Sequence, residues 1–169
     1  DALPYQGCVS SVRFVPDVTG KIVRGSKDMG ERRLIDVMGR LIAQAVPPEW
    51  TCRAQCIVYV PASKKAMRTR GFDHGKALGD AVARRIGLPC LGMLERPTSH
   101  DQRKLSRRGR FVNMQHRFTA RGDAMGQCKP HTVILVDDVY TTGATLCAAS
   151  CALVEGGVQT VLCATFARV

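Results

Sequence analysis

The sequence is short of acidic and aromatic residues and has no long apolar segment. Asp and Glu number 14 against 25 Lys and Arg, which leaves a net charge of +11. A surplus of that sign predicts affinity for polyanions such as nucleotides, pyrophosphate or nucleic acid. Trp50 and the three tyrosines form no stacking array, which argues against an aromatic platform for single strands. No apolar run approaches the roughly 18 residues of a membrane span.

The sequence also lacks internal repeats, low-complexity segments and a signal-peptide pattern. Its 169 residues suffice for about one domain with a sizeable core. We therefore expect one globular domain, located in the cytoplasm and without membrane contact.

Neither the cysteines nor the histidines have the spacing of metal ligands. The eight cysteines include no Cys-x-x-Cys pair, and we expect them to be reduced and mostly structural. No protein-bound metal is predicted. His74 is expected to face solvent at a helix N-terminus, with a role as a base beside the basic segment as the alternative.

Hydrophobic periodicity predicts strands that alternate with helices. The strands are expected at 5–15, 56–60, 90–94, 132–136 and 158–166, and the helices at 31–46, 74–86 and 143–155. Residues 18–30, 61–72 and 96–109 are predicted to be loops. This alternation is typical of an α/β fold with a mainly parallel sheet flanked by helices. Residues 1–169 would form a single domain, with 1–50 as a small N-terminal cap and 51–169 as the ligand-binding core.

The most informative pattern lies in residues 133–145, where four apolar residues run into Asp137 and Asp138. These acids fall at the carboxyl end of a predicted strand, where open α/β sheets bind ligands. A small loop then opens a helix and offers backbone N–H groups and hydroxyls to a phosphate. The carboxylates would accept hydrogen bonds from two neighbouring sugar hydroxyls. The loop consists of Thr141, Thr142, Gly143, Ala144 and Thr145.

Two other interpretations of this pattern use fewer of its residues. The acids could cap the following helix or bind a metal, but a cap needs only one Asp. A response-regulator acid pair gives no reason for the hydroxyl-rich loop. We therefore expect a site for a phosphorylated sugar.

A second candidate element is the basic segment after the strand at 56–60. It carries four cations within residues 64–70. Backbone N–H groups and cationic side chains there could hold pyrophosphate and stabilise its negative charge as it leaves. A solvated basic turn is the alternative. The candidate residues are Ala62, Ser63, Lys64, Lys65 and Arg70.

These motifs resemble those of a known family. Residues 133–145 resemble the phosphoribosyl pyrophosphate (PRPP) signature of type I phosphoribosyltransferases. A second stretch resembles the ComF branch of that family: Val60-Pro61, then the cations, then Arg70-Gly71-Phe72. A spaced pattern of the branch is also present, in Gln102, Leu105, Ser106, Arg110, Asn113 and Phe118. Two departures are that Asp73-His74 replace the usual Asn-Gln, and that the N-terminal zinc ribbon common in the branch is missing.

The resemblance implies a type I phosphoribosyltransferase fold that binds PRPP, with Mg²⁺ held through PRPP. The 5-phosphoribosyl group would pass to an unidentified nitrogen nucleophile with release of pyrophosphate. Asp137 and Asp138, the catalytic pair, would hold the ribose 2′ and 3′ hydroxyls. The loop 141–145 would hold the 5′-phosphate, and Ala62 to Lys65 with Arg70 the pyrophosphate.

Further features are implied by the same resemblance. A segment carrying Gln102, Arg107 and Arg110 would close over the site and exclude water. Type I relatives often carry a cis peptide in the pyrophosphate loop, for which Ala62–Ser63 and Ser63–Lys64 are the candidate bonds, and such relatives are commonly homodimers. The alternative is a non-catalytic protein of the competence and DNA-uptake machinery. It would bind PRPP, or bind single-stranded DNA through basic residues 96–121 beside a helicase partner.

Overall fold

The computed structural model describes residues 3–28, 30–96, 117–122 and 130–169. Its helices are α1 (Thr19–Asp28), α2 (Arg32–Ala45), α3 (Pro48–Arg53), α4 (Lys64–Arg70), α5 (His74–Ile86) and α6 (Ala144–Glu155). Its strands are β1 (Gly7–Arg13), β2 (Cys56–Tyr59), β3 (Cys90–Leu91), β4 (Leu94–Glu95), β5 (Thr119–Ala120), β6 (Thr132–Tyr140) and β7 (Thr160–Arg168).

A five-stranded sheet in the order β1-β7-β6-β2-β3 forms the centre of the fold. All of its neighbouring strands pair in parallel, whereas β4 and β5 form a separate antiparallel pair. Val133, Ile134 and Leu135 of β6 are completely buried, because helices cover both faces of a parallel sheet. The prediction of a mainly parallel α/β sheet flanked by helices is confirmed.

The two faces of the sheet have separate hydrophobic cores. Leu78 and Val82 of α5 pack on one face together with α2. Leu146 and Leu153 of α6 pack on the other. The central neighbours β2 and β6 therefore lead into helices on opposite faces, which opens a crevice at their carboxyl ends.

The N-terminal segment contributes to the sheet itself. β1 forms one edge and pairs with β7 from Gly7 to Arg13. In α2, Met38 and Ile42 are completely buried in the core shared with α5. β1 thus belongs to the main sheet, and α2 belongs to the packed core of the domain. No helix in the described ranges is both long and apolar enough to cross a bilayer.

Three local predictions were wrong, and one helix was not predicted. Residues 18–30 contain α1 and residues 61–72 contain α4, although both were predicted to be loops. Helix α3 was not predicted; it begins at Pro48, because proline suits a first helical turn. The single strand predicted at 90–94 is divided between β3 in the main sheet and β4 in the small one.

Candidate functional site

A cleft of about 460 Å³ lies at the carboxyl ends of β2 and β6. Asp137, Asp138, Thr141 and Thr145 line it together with residues from the end of β2, α1, α4 and α5. The two acids and the predicted phosphate loop therefore face one space. A larger hollow of about 580 Å³ lies between α2 and α5, but neither the acids nor the loop hydroxyls reach it. The smaller cleft is therefore the candidate functional site.

Asp137 and Asp138 lie in the last part of β6, which extends to Tyr140 instead of ending at residue 136. The Asp138 N–H donates to Asp137 Oδ1 at 2.9 Å. Burial, followed by repulsion from Asp138, raises the pKa of Asp137 to about 7, while Lys27 and Arg96 act in the opposite direction. The pair thus holds less negative charge near neutral pH than two separated carboxylates would.

Two side chains outside the set of predicted site residues lie against Asp138. Lys27, from the last turn of α1, forms an ion pair with Asp138 Oδ2. His74 Nδ1 lies 3.7 Å from the same oxygen. Lys27 and Asp138 are far apart in sequence, so no local pattern could have predicted this pair.

His74 is buried, with 3% of its surface exposed, so its predicted solvent-facing position was wrong. Its Nε2 lies 2.9 Å from the Ser26 hydroxyl oxygen, which is also 2.9 Å from the Val23 carbonyl oxygen. Since that hydroxyl has one proton, it donates either to the Val23 carbonyl or to Nε2, and the tautomer of the neutral ring decides which. Burial lowers the pKa of His74 despite the nearby Asp138 carboxylate, which favours this neutral state.

The phosphate loop has the tight backbone that its sequence predicts. Gly143 adopts φ +79°, and a Cβ there would lie 2.6 Å from the Tyr140 hydroxyl oxygen. Helix α6 begins at the next residue, and the Ala144 N–H donates to Thr142 Oγ1 at 3.4 Å. The loop therefore presents the N-terminus of a 12-residue helix to the cleft.

The opposite wall of the cleft includes Ala62, Ser63 and Arg70. The Ala62 N–H already donates to Asp73 Oδ1 at 3.1 Å, so it is not free for an anion. Ser63 Oγ accepts the Ala66 N–H and caps α4, which leaves the Ser63 hydroxyl proton available. Of the five predicted pyrophosphate-binding residues, these three reach the cleft.

The two predicted lysines of this group lie elsewhere. Lys64 lines a neighbouring hollow, and Lys65 is exposed on α4. The structure has no cis peptide bond among the described residues, so the two candidate bonds, Ala62–Ser63 and Ser63–Lys64, are both trans. The predicted loop residues Gln102, Arg107 and Arg110 lie outside the described residues.

Two close contacts fix this wall against the core. A Cβ on Gly75 would lie 1.9 Å from the Val60 carbonyl oxygen, so only glycine lets α5 approach β2 this closely. Arg96 Nε donates to the Pro61 carbonyl at 2.8 Å, and its guanidinium stacks 4.6 Å from the centre of the Phe118 ring.

Comparison with known proteins agrees with this geometry. Residues 74–169 match the family described as "Phosphoribosyl transferase domain". The chain is also 33% identical over 113 residues to "Competence protein ComFC" of Bacillus subtilis (strain 168). That match covers 66% of the chain, which spans 44% of the relative's length. The chain thus belongs to the phosphoribosyl transferase family, and its predicted membership of the ComF branch is confirmed.

Proposed function

We propose that this phosphoribosyltransferase-like protein binds PRPP with Mg²⁺. We also propose that it transfers the 5-phosphoribosyl group to a nitrogen nucleophile, releasing pyrophosphate. The observation that carries the proposal is the shared cleft, in which Asp137 and Asp138 face the same space as Thr141 and Thr145. An acid pair beside an anion-binding helix N-terminus is complementary to a sugar that carries a diol and a phosphate.

Each wall of the cleft would bind one part of the ligand. The acids would accept hydrogen bonds from the ribose hydroxyls, and the loop 141–145 would hold the 5′-phosphate. The Ser63 hydroxyl and the Arg70 guanidinium would hold the pyrophosphate, and the positive charge of Arg70 would stabilise its departure. Catalysis would then consist mainly of positioning and charge stabilisation.

The few carboxylate oxygens in the cleft suit a metal ion that enters already bound to the substrate. Asp137 and Asp138 are the only carboxylates among the described residues that line the cleft, and Asp138 is already paired with Lys27. Mg²⁺ prefers six oxygen ligands and often takes several from substrate phosphates. It would therefore be held mainly through PRPP, where it would neutralise phosphate charge.

Pyrophosphate release from PRPP and Mg²⁺ tests the proposal, with nucleobases, ammonia and simple amines as acceptors. We expect release that depends on one acceptor and is lost when Asp137→Asn and Asp138→Asn are combined. PRPP binding without release for any acceptor would contradict the transferase reaction.

A non-catalytic role in binding single-stranded DNA is the second candidate. It is supported by helix α4, where Lys64, Lys65 and Arg68 are exposed and form no salt bridge with a described residue. Charge reversal at Lys65 and Arg68 should then weaken DNA binding and flatten its dependence on salt concentration. Binding that is unchanged by the reversal would contradict this role for α4.

A further inference from the structure

The C-terminal end of α1 is joined to the cleft by two ion pairs of opposite polarity. Lys27 pairs with Asp138, and the next residue, Asp28, lies 3.5 Å from Arg70 through its Oδ1. Two adjacent residues of α1 thus pair with Asp138, which is proposed to bind the ribose, and with Arg70, which is proposed to bind pyrophosphate.

Both partners are groups that the ligand would need. A ribose diol would take lone pairs of Asp138, while pyrophosphate would take the Arg70 guanidinium. The diol is neutral, so its hydrogen bonds alone do not replace the charge of the Lys27 ammonium. Lys27 would have to find another anion once it leaves Asp138, because a cation without a partner is costly in a partly buried cleft.

The pyrophosphate side supplies that anion within the same cleft. Lys27, Ser63 and Arg70 all line it. The Lys27 side chain is 29% exposed and stands on a flexible four-carbon stem, so the ammonium can change direction without movement of the helix.

We propose that Lys27 changes partners when the ligand binds, from Asp138 to the pyrophosphate group, and that Arg70 leaves Asp28 for the same group. Lys27 is then a pyrophosphate-binding residue supplied by α1. This inference rests on the proposed function, since it assumes a ligand that carries both a diol and a pyrophosphate.

The exchange implies that the two halves of the ligand help each other to bind. Ribose 5-phosphate competes with Lys27 for the Asp138 carboxylate, so the ammonium loses less when it moves to pyrophosphate. Pyrophosphate draws Lys27 away and leaves Asp138 ready for the diol. Each half should therefore bind more tightly in the presence of the other, despite the negative charge of both.

Calorimetric titration with ribose 5-phosphate and with magnesium pyrophosphate, separately and together, tests the exchange. Lys27→Met should weaken pyrophosphate binding by about tenfold and leave ribose 5-phosphate binding unchanged or tighter. Lys27→Arg should restore pyrophosphate binding. Lys21→Met is the matched control, since Lys21 is exposed on the same helix. Asp28→Asn should tighten pyrophosphate binding a few-fold, because it frees Arg70.

Three results would overturn the exchange. The first is a Lys27→Met protein that binds pyrophosphate as the Lys21→Met protein does. The second is an equal loss for both ligands, which would indicate a general distortion of the cleft. The third is no mutual tightening in the wild type. A wild type that binds neither ligand would instead reject the proposed function, and the exchange with it.

Discussion

The Ala62 N–H donates to Asp73 Oδ1 at 3.1 Å, and the same oxygen accepts the Lys76 N–H at 3.1 Å. One carboxylate oxygen thus caps α5 and holds the segment that follows β2. The first contact joins two elements that form one wall of the cleft, so the orientation of this wall depends on the side chain at position 73.

Replacement of Asp73 should separate its acceptor role from its charge. Asp73→Asn keeps an acceptor oxygen and should change the free energy of unfolding little. Asp73→Ala leaves the Ala62 and Lys76 N–H groups without their acceptor and should cost about 1–2 kcal/mol. Urea unfolding of both proteins measures the difference. Equal losses would mean that the charge, not the cap, is important.

Removal of the charge on Asp138 should weaken ligand binding more than it weakens the fold. Asp138→Asn should reduce PRPP affinity by about tenfold to a hundredfold, the usual range for a hydrogen bond to a charged group. Calorimetry gives the affinity, and thermal unfolding monitors the fold. Asp80→Asn is the control, because it removes a carboxylate from the surface of α5 and leaves the cleft intact. Similar affinities for the two variants would argue against a ribose role for Asp138.

A side chain at Gly143 should abolish phosphate binding through local crowding. Gly143→Val places a branched side chain at φ +79°, against the Tyr140 hydroxyl. Gly87→Val is a matched control, since Gly87 has φ +80° and no neighbouring heavy atom within 4 Å of its Cβ position. Both variants should lose about 1–3 kcal/mol of stability from backbone strain. Only Gly143→Val should lose phosphate binding in a titration, and retained binding would place the anion elsewhere.

Asp137 should make the protein less stable as the pH rises. Its pKa is raised to about 7, mainly by burial and then by Asp138, so the folded state keeps a proton that the unfolded chain releases at lower pH. This stabilisation is complete below the unfolded carboxyl pKa of about 3.9 and is lost as the pH passes through about 7.

Urea unfolding between pH 4 and about 8 measures this effect. The stability of the wild type should fall relative to that of Asp137→Asn as the pH rises and then level off. Asp17→Asn is the control, because it removes an exposed carboxylate and so measures the general effect of one negative charge on stability. A difference that does not vary with pH would show that Asp137 is ionised throughout.

The chemistry of the site could be predicted from sequence where it is local. The apolar run, the two acids and the hydroxyl-rich loop follow one another in the chain, so their positions at one strand end were predictable. Helix α4 also has a local signal in the sequence, although this segment was predicted to be a loop. Ser63 caps its start and Gly71, at φ +77°, ends it, although its cationic sequence has no hydrophobic period.

Other features depend on contacts between distant segments. Gly20 and Gly25 lower the helix propensity of α1, which forms because Val23 and Ser26 are buried against the rest of the domain. The burial of His74 could not be predicted, because it depends on contact with Ser26 of α1, a helix that the sequence pattern did not indicate. The Lys27 ion pair was missed for the same reason.

The burial of β6 on both faces limits which parts of the cleft can adapt. The strand packs Ile134 and Val136 into one core and Val133 and Leu135 into the other, and its last residues include the two acids. Local opening cannot expose such a strand, so its amide hydrogens should exchange with solvent only through global unfolding. The backbone of the two acids is therefore held rigidly in place. Any rearrangement around a ligand has to occur in the peripheral helices α1 and α4.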